Sequence, residues 1–142
     1  MYSVAVLVGS LRRDSINKKL AHALAKLGQG KLDFRLVEIG DLPLYNEDIW
    51  VNPPPSITRF KQAIEGADAV LLVSPEYNRG TTGVLKNAID WGSRPYGKSS
   101  WVGKPVALAG ASMGATGTAL AQASLRQTMI ILDTVVMGLP EV

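Results

Sequence analysis

Five short apolar runs, separated by segments of helical spacing, constrain this chain more than any other feature. Val4–Val8, Phe34–Ile39, Ala69–Val73 and Asp133–Met137 are rich in β-branched residues, and Pro105–Ala111 is Ala-rich but apolar throughout. Runs that are apolar at every position fit parallel strands buried on both faces, because a strand with one wet face would alternate. Between them, Ile16, Leu20, Ala23, Leu24 and Leu27 recur at intervals of three and four, and Gly28 is placed to end that helix. Ile57, Phe60 and Ile64 mark a second helix behind the prolines at 53–55. Val84, Leu85, Ala88 and Ile89 mark a third, and Leu120, Leu125, Met129 and Leu132 a fourth. The order is β-α-β-α-β-α-β-α-β. Parallel neighbours need such crossovers, which are right-handed, so a doubly wound α/β sheet of five strands in the order 2-1-3-4-5 follows.

The 142 residues suit one domain, spanning 1–142, with no linker, low-complexity stretch or repeat beyond the βα rhythm. Composition then removes whole classes of chemistry. There is no cysteine, so disulfides, thiolate nucleophiles and zinc–thiolate sites are excluded. The one histidine, His22, falls in the first helix, is read as exposed, and cannot build a multi-histidine metal site. The net charge of +3 comes from basic residues spread along the chain, which suits an anionic small molecule better than a nucleic acid. No apolar run approaches the roughly 18 residues of a membrane span. Met1-Tyr2-Ser3 leads straight into a strand without a basic region or cleavage site, which points to a cytoplasmic protein.

In open α/β sheets the ligand lies beyond the carboxyl ends of the strands, at the switch point between strands 1 and 3. The loop after the first strand, Gly9-Ser10-Leu11-Arg12-Arg13-Asp14-Ser15-Ile16-Asn17, lacks the dinucleotide fingerprint G-x-G-x-x-G. It offers instead hydroxyl and amide side chains, two arginines and the free N–H groups of a helix start, a donor set suited to a phosphate monoester. The competing reading makes Ser10 and Ser15 helix caps and leaves Arg12 and Arg13 solvated. The loop after the third strand, Ser74–Gly83, contains Pro75-Glu76-Tyr77-Asn78-Arg79 and then Gly80 and Gly83. Its glycines allow a flat ligand to approach the backbone, Tyr77 can pack beside a ring and Asn78 can meet a heterocycle edge. The alternative is a plain turn with a surface tyrosine.

Three motifs in order, Gly9-Ser10-x-Arg12-x-x-Ser15-x-Asn17, Pro75-Glu76-Tyr77-Asn78 and Leu85-Lys86-Asn87-Ala88-Ile89-Asp90-Trp91, resemble the NADPH-dependent FMN reductase family along the whole chain. That resemblance implies a flavodoxin-like fold and quinone, azo-dye, flavin or chromate reduction through FMN, with NADPH or NADH as co-substrate. It implies that Ser10, Arg12, Ser15, Ile16 and Asn17 hold the FMN phosphate, and that Pro75, Glu76, Tyr77, Asn78 and Arg79 border the isoalloxazine through backbone groups. It places Ser112 and Gly114, in the turn Ala111–Ala115, near the ring. No catalytic side chain and no metal are implied, since the flavin carries the reactivity. Leu85–Trp91 reads as helix core plus a subunit contact. The family's dimers and tetramers, with Trp91, Trp101 and Tyr96 clustered around one loop, imply a homodimer or homotetramer. Two rivals stand beside the reductase: a flavodoxin-type electron carrier without enzymatic activity, and a sugar-phosphate or nucleotide enzyme.

Two further expectations concern the ends of the argument. Gly92-Ser93-Arg94-Pro95-Tyr96-Gly97-Lys98-Ser99 matches the P-loop pattern letter for letter, yet it follows a helix and precedes a strand, so it reads as a surface loop. The chain stops at Val142, directly after the fifth strand, where a doubly wound sheet would add a helix. The expectation is therefore a further C-terminal helix beyond Val142, or a partner chain, covering one face of the sheet.

Overall fold

The computed structural model describes all 142 residues. It contains β1 (Tyr2–Val8), α1 (Ile16–Leu27), β2 (Leu32–Leu36), a short 3-10 helix (Glu47–Val51), α2 (Pro55–Glu65), β3 (Ala69–Val73), α3 (Gly83–Gly92), β4 (Pro105–Ala109), α4 (Ala119–Ile131) and β5 (Val135–Val136). All strand pairs are parallel, and the sheet order is β2-β1-β3-β4-β5. The register sets Val8 beside Val73 and Val73 beside Ala109, so the three central strands end level with one another. Their loops leave from one edge.

Side-chain alternation divides the core in two. Ala5 and Leu7 of β1, Val70 and Leu72 of β3, and Val106 and Leu108 of β4 point to one face. There they meet Ile57, Phe60 and Ile64 of α2, Leu85, Ala88, Ile89 and Trp91 of α3, and Leu125 and Met129 of α4. Val4, Val6, Val8, Leu71, Val73 and Ala109 point to the other face, where α1 supplies Ala21 with Leu20 and Leu24.

The helices begin and end for local reasons. The Ser15 hydroxyl accepts from the Lys18 N–H at 3.4 Å to start α1, and the Gly28 N–H donates to the Leu24 carbonyl to close it. Pro55 stands at the first position of α2, where its missing N–H costs nothing. The Thr82 hydroxyl accepts from Leu85 N–H at the start of α3.

Three strand expectations need correction. The second strand is Leu32–Leu36 rather than Phe34–Ile39: the chain leaves the sheet after one last bond from Val37 N–H to the Val6 carbonyl, and Ile39 packs into the larger core as loop. The fourth stops at Ala109, because Gly110 is pressed between Thr118 and Ser74 and turns the chain away. The fifth is only Val135–Val136: Asp133, with a left-handed φ of 59°, keeps the strand from starting earlier, and Met137 N–H adds one last bond to the Val106 carbonyl.

Candidate functional site

The loops leaving β1, β3 and β4 meet at the carboxyl edge of the sheet and are stitched together by specific contacts. Gly9 N–H donates to the Val73 carbonyl at 2.8 Å. A side chain at position 9 would come within 2.7 Å of Thr82 Oγ1 and 3.2 Å of Leu85 Cβ, so glycine there lets the first loop lie against the start of α3. Gly110 has the same role on the other side, where a Cβ would lie 2.5 Å from the Ser74 carbonyl oxygen. Glycine is needed at both points for closeness of approach rather than for an unusual φ.

In the first loop Ser15 is the helix cap, and Ser10 is buried. Arg12 and Arg13 are exposed, and neither takes part in any of the molecule's ion pairs. The first turn of α1 carries no acidic residue, and the N–H groups of Ile16 and Asn17 meet no protein acceptor. A helix start with free N–H groups, no acidic residue in its first turn and an unpaired arginine has the donors that a phosphate needs, although Asp14 stands just before the cap.

The side chain of Asn17 is engaged elsewhere. It is 2% exposed; its Nδ2 donates to the Ala111 carbonyl at 3.0 Å, and its Oδ1 accepts from Ala111 N–H at 2.9 Å. Asn17 thus binds the first loop to the third, and only its backbone N–H is left for an anion.

The second loop reverses direction over four residues. Tyr77 N–H donates to the Gly80 carbonyl at 3.0 Å, and Gly80 N–H returns to the Tyr77 carbonyl at 3.1 Å. Asn78 and Arg79 between them have φ of 52° and 65°, the paired left-handed geometry of a tight two-residue turn. Asparagine tolerates that region and arginine does so less readily, so this turn holds some strain. Pro75 is half-buried, while Tyr77 stands exposed at the loop tip.

The side chains of Glu76 and Arg79 turn toward the third loop. Glu76 Oε2 accepts from Leu120 N–H at 3.0 Å and Ala121 N–H at 3.2 Å, and Arg79 Nη1 donates to Thr116 Oγ1 at 3.0 Å. In that third loop Ser112 Oγ accepts from Gly114 N–H at 3.0 Å, and the stretch Ser112–Thr116 is exposed. A Cβ at Gly114 would meet only Ser112 Oγ at 3.5 Å, which leaves its backbone open.

Ten of the twelve positions singled out from sequence therefore fall on three adjoining loops and two, Ile16 and Asn17, on the first turn of α1, but their side chains do different work. Arg12 faces solvent, Ser15 caps, Asn17 and Glu76 stitch loops, and Ser112 braces its own turn. Sequence reasoning missed Thr82, whose hydroxyl sits where Gly9 passes; a threonine just before a helical run is a recognisable cap signal. The Asn17–Ala111 pair joins residues 94 apart in the chain, and nothing local announces it.

The third motif is structural. Leu85, Ala88, Ile89 and Trp91 are core, while Asn87 accepts from Tyr45 N–H at 2.8 Å and donates to the Pro43 carbonyl at 2.9 Å. Trp91 Nε1 donates to the same carbonyl at 2.7 Å. The expected aromatic surface around this region needs correction: Trp91 and Trp101 are fully buried and only Tyr96 is exposed, because the two indoles fill the space between α2, α3 and the loop before the 3-10 helix. Gly92–Ser99 begins at the last residue of α3 and runs toward β4, so no helix follows it as a P-loop requires. Lys61 of α2 pins that segment, with Nζ donating to the carbonyls of Gly92 and Lys98 and to Ser100 Oγ. Burial pushes the Lys61 ammonium below its usual 10.5, an effect that Glu65 opposes.

A family model for NADPH-dependent FMN reductases matches residues 2–142. The chain is 56% identical over 138 residues to a 2-hydroxy-1,4-benzoquinone reductase from a Burkholderia species, covering 97% of this chain and 75% of that protein. It is 54% identical over 142 residues to a quinone reductase of Pseudomonas putida, covering 99% of this chain and 76% of that one. Among solved structures it is similar to FerB, a flavoenzyme NAD(P)H:acceptor oxidoreductase from Paracoccus denitrificans, at 54% identity and a TM-score of 0.97, covering 99% of this chain and 78% of FerB.

Proposed function

The chain belongs to the NADPH-dependent FMN reductase family, and on that footing we propose that its three loops hold FMN for the reduction of quinones by NAD(P)H. The observation that carries the assignment is the start of α1: two free N–H groups, no acidic residue in the first turn and an unpaired Arg12. When bound, FMN supplies the chemistry, taking a hydride from NAD(P)H and giving its reducing equivalents to the acceptor.

The residues divide the binding task. Ser10, Arg12, Ser15, Ile16 and Asn17 receive the phosphate, Arg12 through its guanidinium and Ile16 and Asn17 through backbone N–H groups. Pro75, Glu76, Tyr77, Asn78 and Arg79 form one border of the ring, chiefly through backbone, because the Glu76 and Arg79 side chains are committed to α4 and Thr116. Ser112 and Gly114 form the other border. The exposed Tyr77 and the exposed third loop leave one side open to dinucleotide and acceptor in turn. Quinones are favoured over azo compounds, free flavins and chromate because quinone reduction is what the names of the Burkholderia and Pseudomonas putida relatives state. A homodimer or larger assembly in the cytoplasm belongs to the same reading, and light scattering at micromolar concentration tests the assembly.

Arg12→Ala is expected to weaken FMN binding by about 1.5–3 kcal/mol, the range for a hydrogen bond to a charged group. Riboflavin, which lacks the phosphate, should bind both proteins equally. Unchanged FMN affinity in the variant would remove the phosphate assignment. NAD(P)H oxidation by the pure protein with benzoquinone separates a reductase from an electron carrier, which would show none.

A further inference from the structure

The helix α4 is not capped by its own preceding residue. Thr118 stands at the cap position, yet its hydroxyl makes no cap bond and instead accepts from Gln122 Nε2 at 3.0 Å. The first turn of α4 contains no acidic residue either. The bonds that Leu120 and Ala121 N–H need come from Glu76, some 44 residues earlier and on the opposite loop. Its side chain is 8% exposed and Ala121 is fully buried, so the bond to Ala121 N–H is made largely away from water, where an unmet N–H is costly. The other carboxylate oxygen, Oε1, lies 3.4 Å from Arg79 Nη1, and the same Nη1 reaches Thr116 Oγ1 at 3.0 Å. One carboxylate and one guanidinium therefore tie the left-handed turn at Asn78–Arg79 to both the exit of the third loop and the start of α4. The entry of that loop is tied separately, by Asn17 on Ala111.

We propose that Glu76 is a positioning residue, which with Arg79 fixes the β4–α4 loop against the β3–α3 loop so that the two borders of the flavin ring form one rigid wall. The proposal rests on the FMN reading of these loops. Glu76 does not touch the ring through its side chain; it holds Ser112–Gly114 at a set distance from Pro75–Asn78. A clamp of this kind lowers the ordering cost of binding, since the loops are fixed before the ligand arrives. A carboxylate suits the place, because its two oxygens meet two backbone donors at a helix start together with a guanidinium. Glutamine offers only one oxygen there and turns an amide N–H toward either a backbone donor or Arg79.

The test uses the full chain and FMN itself, with Glu76→Ala, Glu76→Gln and Thr116→Val. Each apoprotein is titrated with FMN by fluorescence quenching, the visible circular dichroism of the bound flavin is recorded, and urea unfolding of the apoprotein measures stability separately. Glu76→Ala is expected to weaken FMN binding at least tenfold and to alter the visible dichroism, with Glu76→Gln in between. Thr116→Val, which keeps the carboxylate and its helix cap, should give a smaller loss of two- to threefold with little change in urea midpoint. A purely structural cap would shift the urea midpoint of Glu76→Ala and leave affinity and dichroism of the folded fraction at wild-type values, and that result overturns the proposal. If Glu76→Ala does not fold, unchanged affinity and dichroism in Thr116→Val together with Glu76→Gln overturn it instead. Failure of the wild-type protein to bind FMN is a different outcome, which removes the site reading itself.

Discussion

The two faces of the sheet, built from alternating residues of the same strands, are finished to different degrees. One carries α2, α3 and α4 and a cluster of 19 buried residues, including Phe60, Trp91 and Trp101 with no exposed surface. The other carries α1 alone, over β1, β2 and β3, and a cluster of seven. Beyond α1 a groove of about 730 Å³ runs across β4 and β5, floored by Pro105, Ala107, Ala109, Val135 and Met137. Its apolar lining sets it apart from the polar loops where the cofactor is proposed to bind. Parallel sheets are stable when both faces are covered, so apolar strands alone do not make a finished fold. On this side of the sheet α1 contacts β1, β2 and β3, and Val135 of β5 is exposed.

Neighbouring residues of β3 give the sharpest comparison. Leu72 points into the covered face with no exposed surface, and Leu71 points to the open one. Leu72→Ala is expected to cost about 3–5 kcal/mol in urea unfolding, whereas Leu71→Ala should cost no more than about 2.5 kcal/mol, because a cavity beside an open groove relaxes more easily. Equal losses would show that the second face is as well packed as the first.

The rim of the covered face offers a smaller effect. Lys61→Met removes the donor shared by the Gly92 and Lys98 carbonyls and Ser100 Oγ, and a loss of about 1.5–3 kcal/mol is expected. The pH dependence has a definite sign. Burial lowers the folded-state pKa of Lys61 below 10.5, so at alkaline pH the unfolded chain holds more of this proton than the folded one. Its contribution to stability is complete above 10.5 and declines as pH falls through the lowered value. Unfolding of wild type and Lys61→Met compared from pH 7 to 10.5 should show wild type gaining relative to the variant; a constant difference would mean that Lys61 is not desolvated. The smallest effect belongs to the open face: Val135→Lys, at an exposed position, should stay within about 0.5 kcal/mol of wild type while reducing binding of an apolar dye. A large loss of stability there would mean that this face is covered in solution.

The contrast between loops and core runs the same way. The positions of Arg12, Tyr77 and the glycines are legible in the sequence, because strand order dictates where their loops lie. Glu76 and Asn17 can be placed at the same edge from sequence, but the work of their side chains cannot: each spends its side chain on backbone far along the chain. The aromatic residues failed for a related reason. Trp91, Trp101 and Tyr96 are close in sequence and look alike by composition, yet two fill the core and one is almost wholly exposed.

What the sequence determined by itself is the periodic part: five apolar runs, four amphipathic helices, their parallel order, and the loops at the switch point. Those follow from local repeats of two and 3.6 residues and from the handedness of crossovers, which need no partner at a distance. Tertiary structure alone decided where β2 stops, which indoles are buried, that α4 takes its cap from Glu76, and that Asn17 holds Ala111. Each of these depends on a hydrogen bond or contact between residues far apart in the chain. The free energy of such a contact exists only once the sheet has brought the two ends together.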